Sequence, residues 1–262
     1  MATERSSPPS PLRRAAGGAI HRAGRLLDEL LPPACAVCRA PASPGPPLCG
    51  VCESRLRHVP RPRCHRCGAP RTSGLDGEAC VYCDPWPEGL EAAASAVLHE
   101  PPADRLVAGL KYAGWTALAP RLAEHMVEPA RALRRRLGAD PLLAAVPLDR
   151  RGARRRGFNQ AALLADRLAA LTGWAQVTDG LARRATPRRQ AELGRAERLE
   201  NVLAAFHWRP GVAMPERPIL LVDDVLTTGS TAAACAVAVR EAGGRCAGVV
   251  TFARALPSPD GG

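Results

Sequence analysis

Eight of the ten cysteines in this 262-residue chain fall into four Cys-x-x-Cys pairs: Cys35/Cys38, Cys49/Cys52, Cys64/Cys67 and Cys80/Cys83. The segment that holds them, residues 34–88, is rich in proline and glycine and poor in large apolar side chains. Such a stretch cannot build its own hydrophobic core, so something else must staple it. A Cys-x-x-Cys turn presents two thiolates to one tetrahedral zinc, and two turns complete a closed Cys₄ site. Ten residues separate Cys38 from Cys49, and twelve separate Cys67 from Cys80, spacings that suit two short ribbon hairpins. Pairing in sequential order is therefore expected, with a cross-braced order (first with third, second with fourth) as the alternative. Iron–sulfur ligation and a redox pair compete with structural zinc for such cysteines. Zinc is the expectation here, two ions per chain, and an all-cysteine site leaves no open position for catalysis. His65 reads as a spectator within the third pair. Cys235 and Cys246 stand alone and read as buried structural cysteines.

The rest of the chain has material for an ordinary core, since 46% of all residues are apolar. The formal net charge is +11, and nearly all the positive charge is arginine, because Lys111 is the only lysine. That excludes a Walker A phosphate loop, which needs a Gly-Lys step, and leaves one residue for any Schiff-base chemistry. A basic chain favours polyanionic partners, although an arginine-rich composition weakens charge alone as an argument for nucleic acid. No apolar run is long enough to cross a membrane, and the polar, Pro-rich residues 1–14 lack the apolar core of an export signal. A reducing cytoplasm is the expected compartment, where paired cysteines point to metal rather than disulfides.

Residues 1–18 read as a disordered tail and 19–33 as a helix that Pro32-Pro33 stops. Beyond the cysteine segment, residues 93–99 read as a strand and 104–112 as a helix. A longer helix is expected over 115–137, kinked at Pro129. Residues 142–146 (LLAAV) make a buried strand ending in Pro147, and 160–171 a helix. Val177 is placed in a short strand, and 183–198 is read as a loop running into a helix. Strand 219–222, helix 230–242 and strand 247–252 close the chain, with 257–262 as a tail. Alternating strands and helices imply an α/β domain with a mainly parallel sheet and flanking helices, here over residues 90–256.

The most informative stretch is Ile219 to Thr231, ILLVDDVLTTGST. Four apolar residues form a buried strand, two acids follow at its C-terminal end, and a loop of small hydroxylated residues opens a helix. Open α/β sheets bind ligands at the edge where strands end. The loop offers backbone N–H groups, hydroxyls and the helix dipole to a phosphate, and Gly229 lets the backbone curl tightly. Asp223 and Asp224 suit ribose hydroxyls or a hydrated magnesium ion.

This stretch resembles the PRPP-binding motif of type I phosphoribosyltransferases. The resemblance implies that Asp223 and Asp224, the catalytic acids, hold the ribose 2′- and 3′-hydroxyls. Thr227, Thr228, Gly229, Ser230 and Thr231 then wrap the 5′-phosphate, and Mg²⁺ accompanies PRPP. Arg156-Gly157-Phe158-Asn159-Gln160, Leu110-Lys111-Tyr112, and Thr186, Gln190, Arg198 and Asn201 are similar to blocks of the competence protein ComF family. That family joins a double zinc ribbon to a phosphoribosyltransferase domain and is linked to DNA uptake in natural transformation. Lys111, Arg156, Asn159, Gln160, Gln190, Arg198 and Asn201 are thereby candidates for contacts with pyrophosphate or the acceptor. Asn159 and Gln160 read equally as an ordinary helix start, Phe158 as a base-stacking or a core residue. The arginine runs at 149–156 and 183–198 read as phosphate-binding loops or as a solvated basic face. The expected function is a PRPP-binding phosphoribosyltransferase linked to DNA uptake. The alternative is a non-catalytic competence factor that binds single-stranded DNA or a helicase partner.

Overall fold

The computed structural model describes residues 34–42, 47–71, 80–84, 86, 90–184 and 204–256, the side chains of Arg150 and Arg151 excepted. The two terminal tails, the helix expected over 19–33, and Thr186, Gln190, Arg198 and Asn201 lie outside the described residues. In chain order the elements are α1 (Gly50–Ser54), β1 (Ala93–Leu98), α2 (Ala103–Tyr112), a 3₁₀ turn (Thr116–Leu118) and α3 (Ala119–Leu137). They continue with β2 (Leu142–Ala145), α4 (Arg150–Arg156), α5 (Gln160–Thr172), β3 (Leu181–Arg183) and β4 (Phe206–Trp208). The last three are β5 (Ile219–Leu226), α6 (Ser230–Glu241) and β6 (Cys246–Arg254).

Strands β1, β6, β5 and β2 lie side by side in that order, every neighbour parallel. The first halves of the central strands, Ile219–Val222 and Cys246–Val250, are apolar because both faces are covered. Leu143, Leu220, Val222, Val250 and Phe252 pack with α2, α3 and α5 on one face. Ala144, Ile219, Leu221 and Val249 pack with α6 and β4 on the other. Strands β3 and β4 form a separate antiparallel pair. This is the α/β architecture with a parallel sheet and flanking helices that the alternation of elements implied.

The two cysteine modules straddle the free edge of β1. Cys35, Leu48, Cys52 and Leu56 of the first join the core that contains α2 and α3. Cys64, Cys67, Ala69, Cys83 and Trp86 of the second join the core that contains α6. The chain between them runs antiparallel to β1, with a His58–Val97 bridge. The N–H of Leu98 donates to the Arg57 carbonyl at 2.7 Å, and that of Val59 to the Ala96 carbonyl at 3.2 Å. An edge that would otherwise present unpaired backbone is thereby partly covered.

Several expectations change. Strand β5 does not stop at Val222; it runs through both acids to Leu226, with Asp223 beside Thr251 and Val225 beside Ala253 of β6. The ladder continues because one acid finds an ion pair and the other opens onto a cleft. Residues 150–156, read as a basic loop, form helix α4. Asp149 caps it by accepting the Gly152 N–H at 2.7 Å, and Gly157 closes it in the left-handed conformation at φ 76°. The helix expected over 115–137 begins instead as the 3₁₀ turn, and α3 then continues through Pro129. Val177 lies in no strand, although its N–H donates to the Leu143 carbonyl at 2.8 Å. Strand β3 ends at Arg183, the first residue of the segment read as a loop running into a helix, and 185–198 of that segment lie outside the described residues. Among the described residues no helix is long and apolar enough to cross a membrane.

Candidate functional site

The C-terminal ends of β1, β2 and β5 surround a cleft of ≈ 360 Å³. Asp223, Asp224, Thr227 and Thr231 line one side; Lys111, Arg156, Gln160 and Arg183 bring the polar groups of four further elements. His99 and the Val146-Pro147-Leu148 turn complete the wall. Of the acids and loop residues singled out in the sequence, Asp223, Asp224, Thr227 and Thr231 meet in one place. Of the proposed cations and amides, Lys111, Arg156 and Gln160 join them.

Successive strand residues point to opposite faces, so the two acids have different surroundings. Asp224 is buried and its carboxylate lies 2.8 Å from the Lys111 ammonium, at the end of α2. Asp223 is only partly buried by surface exposure, yet it sits deep in the cleft. Burial, reinforced by the charge on Asp224, pushes its carboxyl well above the usual carboxylate range. The site therefore holds an ion pair beside an acid whose ionised form burial disfavours.

The loop beyond β5 turns into α6 at a glycine. Gly229 adopts φ 82° at the N-terminus of α6 and supplies no side-chain cap, so the first-turn N–H groups lack that partner. Thr228 and Ser230 hydroxyls lie 2.9 Å apart. Thr228, Gly229 and Ser230 do not themselves line the cleft. On the opposite wall, Arg156 donates to Gln160 at 2.8 Å, and its guanidinium lies 5.2 Å from the Tyr112 ring centre. The two blocks containing Lys111-Tyr112 and Arg156–Gln160 thus form one surface. Asn159 stands apart from the cleft. Its side chain caps α5 by accepting the Ala161 N–H, and donates to the Val146 carbonyl. Phe158 packs against the core.

The cysteines gather into two clusters in sequential order, Cys35/Cys38/Cys49/Cys52 and Cys64/Cys67/Cys80/Cys83, each with its sulfur atoms within 4.8 Å of one another. Across the two turns of each module the S···S distances are 3.6 Å (Cys38–Cys49), 3.6 Å (Cys67–Cys80) and 3.8 Å (Cys64–Cys83). A tetrahedron with Zn–S bonds of about 2.3 Å has edges of about 3.8 Å, so both clusters fit zinc. Burial raises the Cys35 and Cys64 thiols, but backbone N–H groups and neighbouring thiols more than offset it, leaving them at about 6 and about 7. Both thiols thus lie below the ordinary cysteine value, which favours their thiolate forms. Cys235 and Cys246 are buried, as expected of lone structural cysteines.

Comparison with known proteins agrees with the geometry of the cysteine clusters. The double zinc ribbon domain family matches residues 26–84. The chain is 32% identical over 207 residues to the DNA utilization protein YhgH of Salmonella typhi, spanning 78% of this chain and 88% of that protein. The YhgH of Escherichia coli K12 is 31% identical over the same shares. The chain belongs to the ComF family, with YhgH. A solved structure, TT1426 from Thermus thermophilus, aligns with 55% of this chain and 84% of its own at 16% identity and a TM-score of 0.28.

Some residues that line or back the cleft were not singled out by sequence. His99 lies just past β1, and its only signal is that position at the end of a parallel strand. Arg183 opens the second arginine run but nothing distinguishes it there from its neighbours. Trp86 and Arg254 touch the loop from behind and carry no motif at all.

Proposed function

We propose that this protein binds PRPP in the cleft at the C-terminal edge of the sheet, as a phosphoribosyltransferase acting in the use or uptake of DNA. The observation that carries the reading is the convergence of Asp223, Asp224, Thr227 and Thr231 with Lys111, Arg156 and Arg183 around one ≈ 360 Å³ cleft. Acids suit ribose hydroxyls, a hydroxyl-rich loop at a helix N-terminus suits a 5′-phosphate, and arginine forks suit a pyrophosphate. The names of the relatives supply the link to DNA.

Displacement at the anomeric carbon passes through a cationic ribose while pyrophosphate departs. The Thr227–Thr231 loop fixes the 5′-phosphate, and Asp223 and Asp224 fix the ribose, so the reacting carbon is held in one orientation. Arg156 and Arg183 face the charge that grows on the departing group. Lys111 holds Asp224 in place through their 2.8 Å ion pair and itself lines the cleft. Asp223, which lines the cleft, would hold a Mg²⁺ ion arriving with PRPP, and that ion would add neutralising charge for the pyrophosphate.

Calorimetric titration with PRPP and Mg²⁺ tests the reading, with the melting temperature followed in parallel. Ligand at a hundred times its Kd stabilises a protein by about 2.7 kcal/mol, and Asp224→Asn should sharply reduce that gain. Negligible, equal responses from both proteins would refute it.

A second reading, binding of single-stranded DNA, draws on a different observation. Tyr112 is 69% exposed at the cleft rim, flanked by Arg155 and Arg156 at 5.8 and 5.2 Å from its ring centre. An exposed ring between guanidinium groups suits stacking on a base. A salt-titrated binding assay separates the two, since phosphate-backbone contacts give a steep salt dependence that Tyr112→Ala would leave nearly unchanged.

A further inference from the structure

The phosphate-binding loop is gripped from behind by the second cysteine module. Trp86 follows Cys83 by three residues, and its backbone N–H donates to the Cys83 carbonyl at 3.1 Å. The ring is 6% exposed, and its indole N–H donates to the Thr228 carbonyl at 2.7 Å. It also fills the space beside Gly229, where an added Cβ would meet the ring at 2.5 Å. Arg66, between Cys64 and Cys67, donates to the carbonyls of both Cys83 and Trp86, at 3.2 and 3.3 Å.

A second contact joins the same two parts. Arg254, at the end of β6 and 1% exposed, donates to the Thr227 carbonyl at 3.0 Å. Its guanidinium lies 5.8 Å from the ring of Tyr82, between Cys80 and Cys83. Among the described residues it has no carboxylate partner within 4.0 Å; the groups whose charge acts on it are Cys67, Cys80, Cys83 and Tyr82. Four thiolates around one Zn²⁺ carry a net charge of −2, so metal binding creates the counter-charge this buried cation lacks.

The two contacts together set the direction of the loop. A trans peptide places its C=O and the following N–H on opposite sides. With the carbonyls of Thr227 and Thr228 drawn toward Arg254 and Trp86, the N–H groups of Thr228 and Gly229 face the other way, where an anion can accept from them.

We propose that the second zinc ribbon is the positioning element of the phosphate loop, with Trp86 and Arg254 as the residues that transmit its closure. The proposal rests on the phosphate reading of the loop, but the clamp itself is measurable without ligand. Trp86→Phe keeps a ring and removes the indole donor; Trp86→Ala removes both. In the full-length zinc-loaded protein, both variants should retain two zinc ions. Hydrogen exchange of peptides covering 227–231 should accelerate at least threefold, with α3 unaffected. The Kd for PRPP with Mg²⁺ should rise about 2- to 10-fold for Trp86→Phe, the range for one hydrogen bond, and further for Trp86→Ala. Cys80→Ser should reproduce the faster loop exchange while Cys49→Ser should not. Unchanged loop exchange in Trp86→Phe and Cys80→Ser, with zinc content as stated for the former, overturns the proposal. Faster loop exchange in a protein whose wild type ignores PRPP would uphold the clamp and refute the phosphate reading instead. Trp86→Phe suffices should Trp86→Ala fail to fold.

Discussion

The two cysteine modules share their ligand chemistry and differ in what they hold. The first leans on the helical layer. Glu53 of α1 accepts from Arg121 of α3 at 2.6 Å and lies 3.3 Å from His125, while Arg39 stacks 5.6 Å from the Trp115 ring centre. The second leans on the loop at the end of β5, through Trp86 and Arg254. Cys38 of the first cluster is exposed; in the second no cysteine is. A closed metal site performs no chemistry of its own, yet its weight in function depends on which backbone groups its neighbours reach. By that measure the first module braces the scaffold and the second braces the site.

The largest effect that would test this contrast is metal loss. Metal analysis of protein purified without chelators should find about two zinc ions per chain. Structural zinc carries apparent binding energies of about 10 kcal/mol or more, so stripping both should melt residues 34–88 and abolish PRPP binding. A chelated protein that still binds PRPP normally would break the comparison.

Lys111→Ala comes next. It leaves Asp224 buried without its partner, a loss of about 3–5 kcal/mol, measurable by denaturant titration. Asp224→Asn added to Lys111→Ala should recover part of it. A fully additive pair would show that the two groups do not stabilise one another.

Gly229→Ala meets both a left-handed backbone and the Trp86 ring, and should cost about 1–3 kcal/mol together with PRPP affinity. Glu53→Gln, at the first module, should cost about 1 kcal/mol and leave PRPP affinity unchanged. A larger affinity loss from Glu53→Gln than from Gly229→Ala would reverse the assignment of roles.

The smallest effect is with pH. Burial pushes the His125 imidazole below its ordinary value, as do His58 and Arg121, against the opposing pull of Glu53 and Glu124. His207 is lowered too, by burial and by Arg184 and Arg209. Below the unfolded value near 6.5, the unfolded chain takes up protons that the folded one refuses, so stability falls as pH drops from about 7 to 5. Each group contributes at most about 1.4 kcal/mol per pH unit. His125→Gln should flatten part of that slope in urea titrations, and an unchanged slope would remove His125 from the account.

Those features that depend on spacing were legible in the sequence. Cys-x-x-Cys turns at ten- and twelve-residue intervals lead to two sequential clusters, and the apolar-acid-hydroxyl order of 219–231 leads to a strand, a tight turn and a helix. Helix α4 was also encoded, by Asp149 ahead of it and Gly157 behind, but its arginine content suggested a loop. The extension of β5 through Asp223 and Asp224 was hidden because acids argue against a strand until their partners are known. Trp86 and Thr228 are 142 positions apart, and no periodicity reports a contact of that span. Asn159 shows the reverse case, a residue whose family-like position suggested a site and whose side chain caps a helix.

The pairing of Lys111 with Asp224 has a practical consequence. Because the chain contains one lysine, reductive methylation with a carbon-13 label would mark one side chain, that of Lys111 in the cleft, beside the α-amine. The chemical shift of that side chain would follow the tightness of that one contact, so each ligand that draws Asp224 away would announce itself in a spectrum with no other side chain to assign.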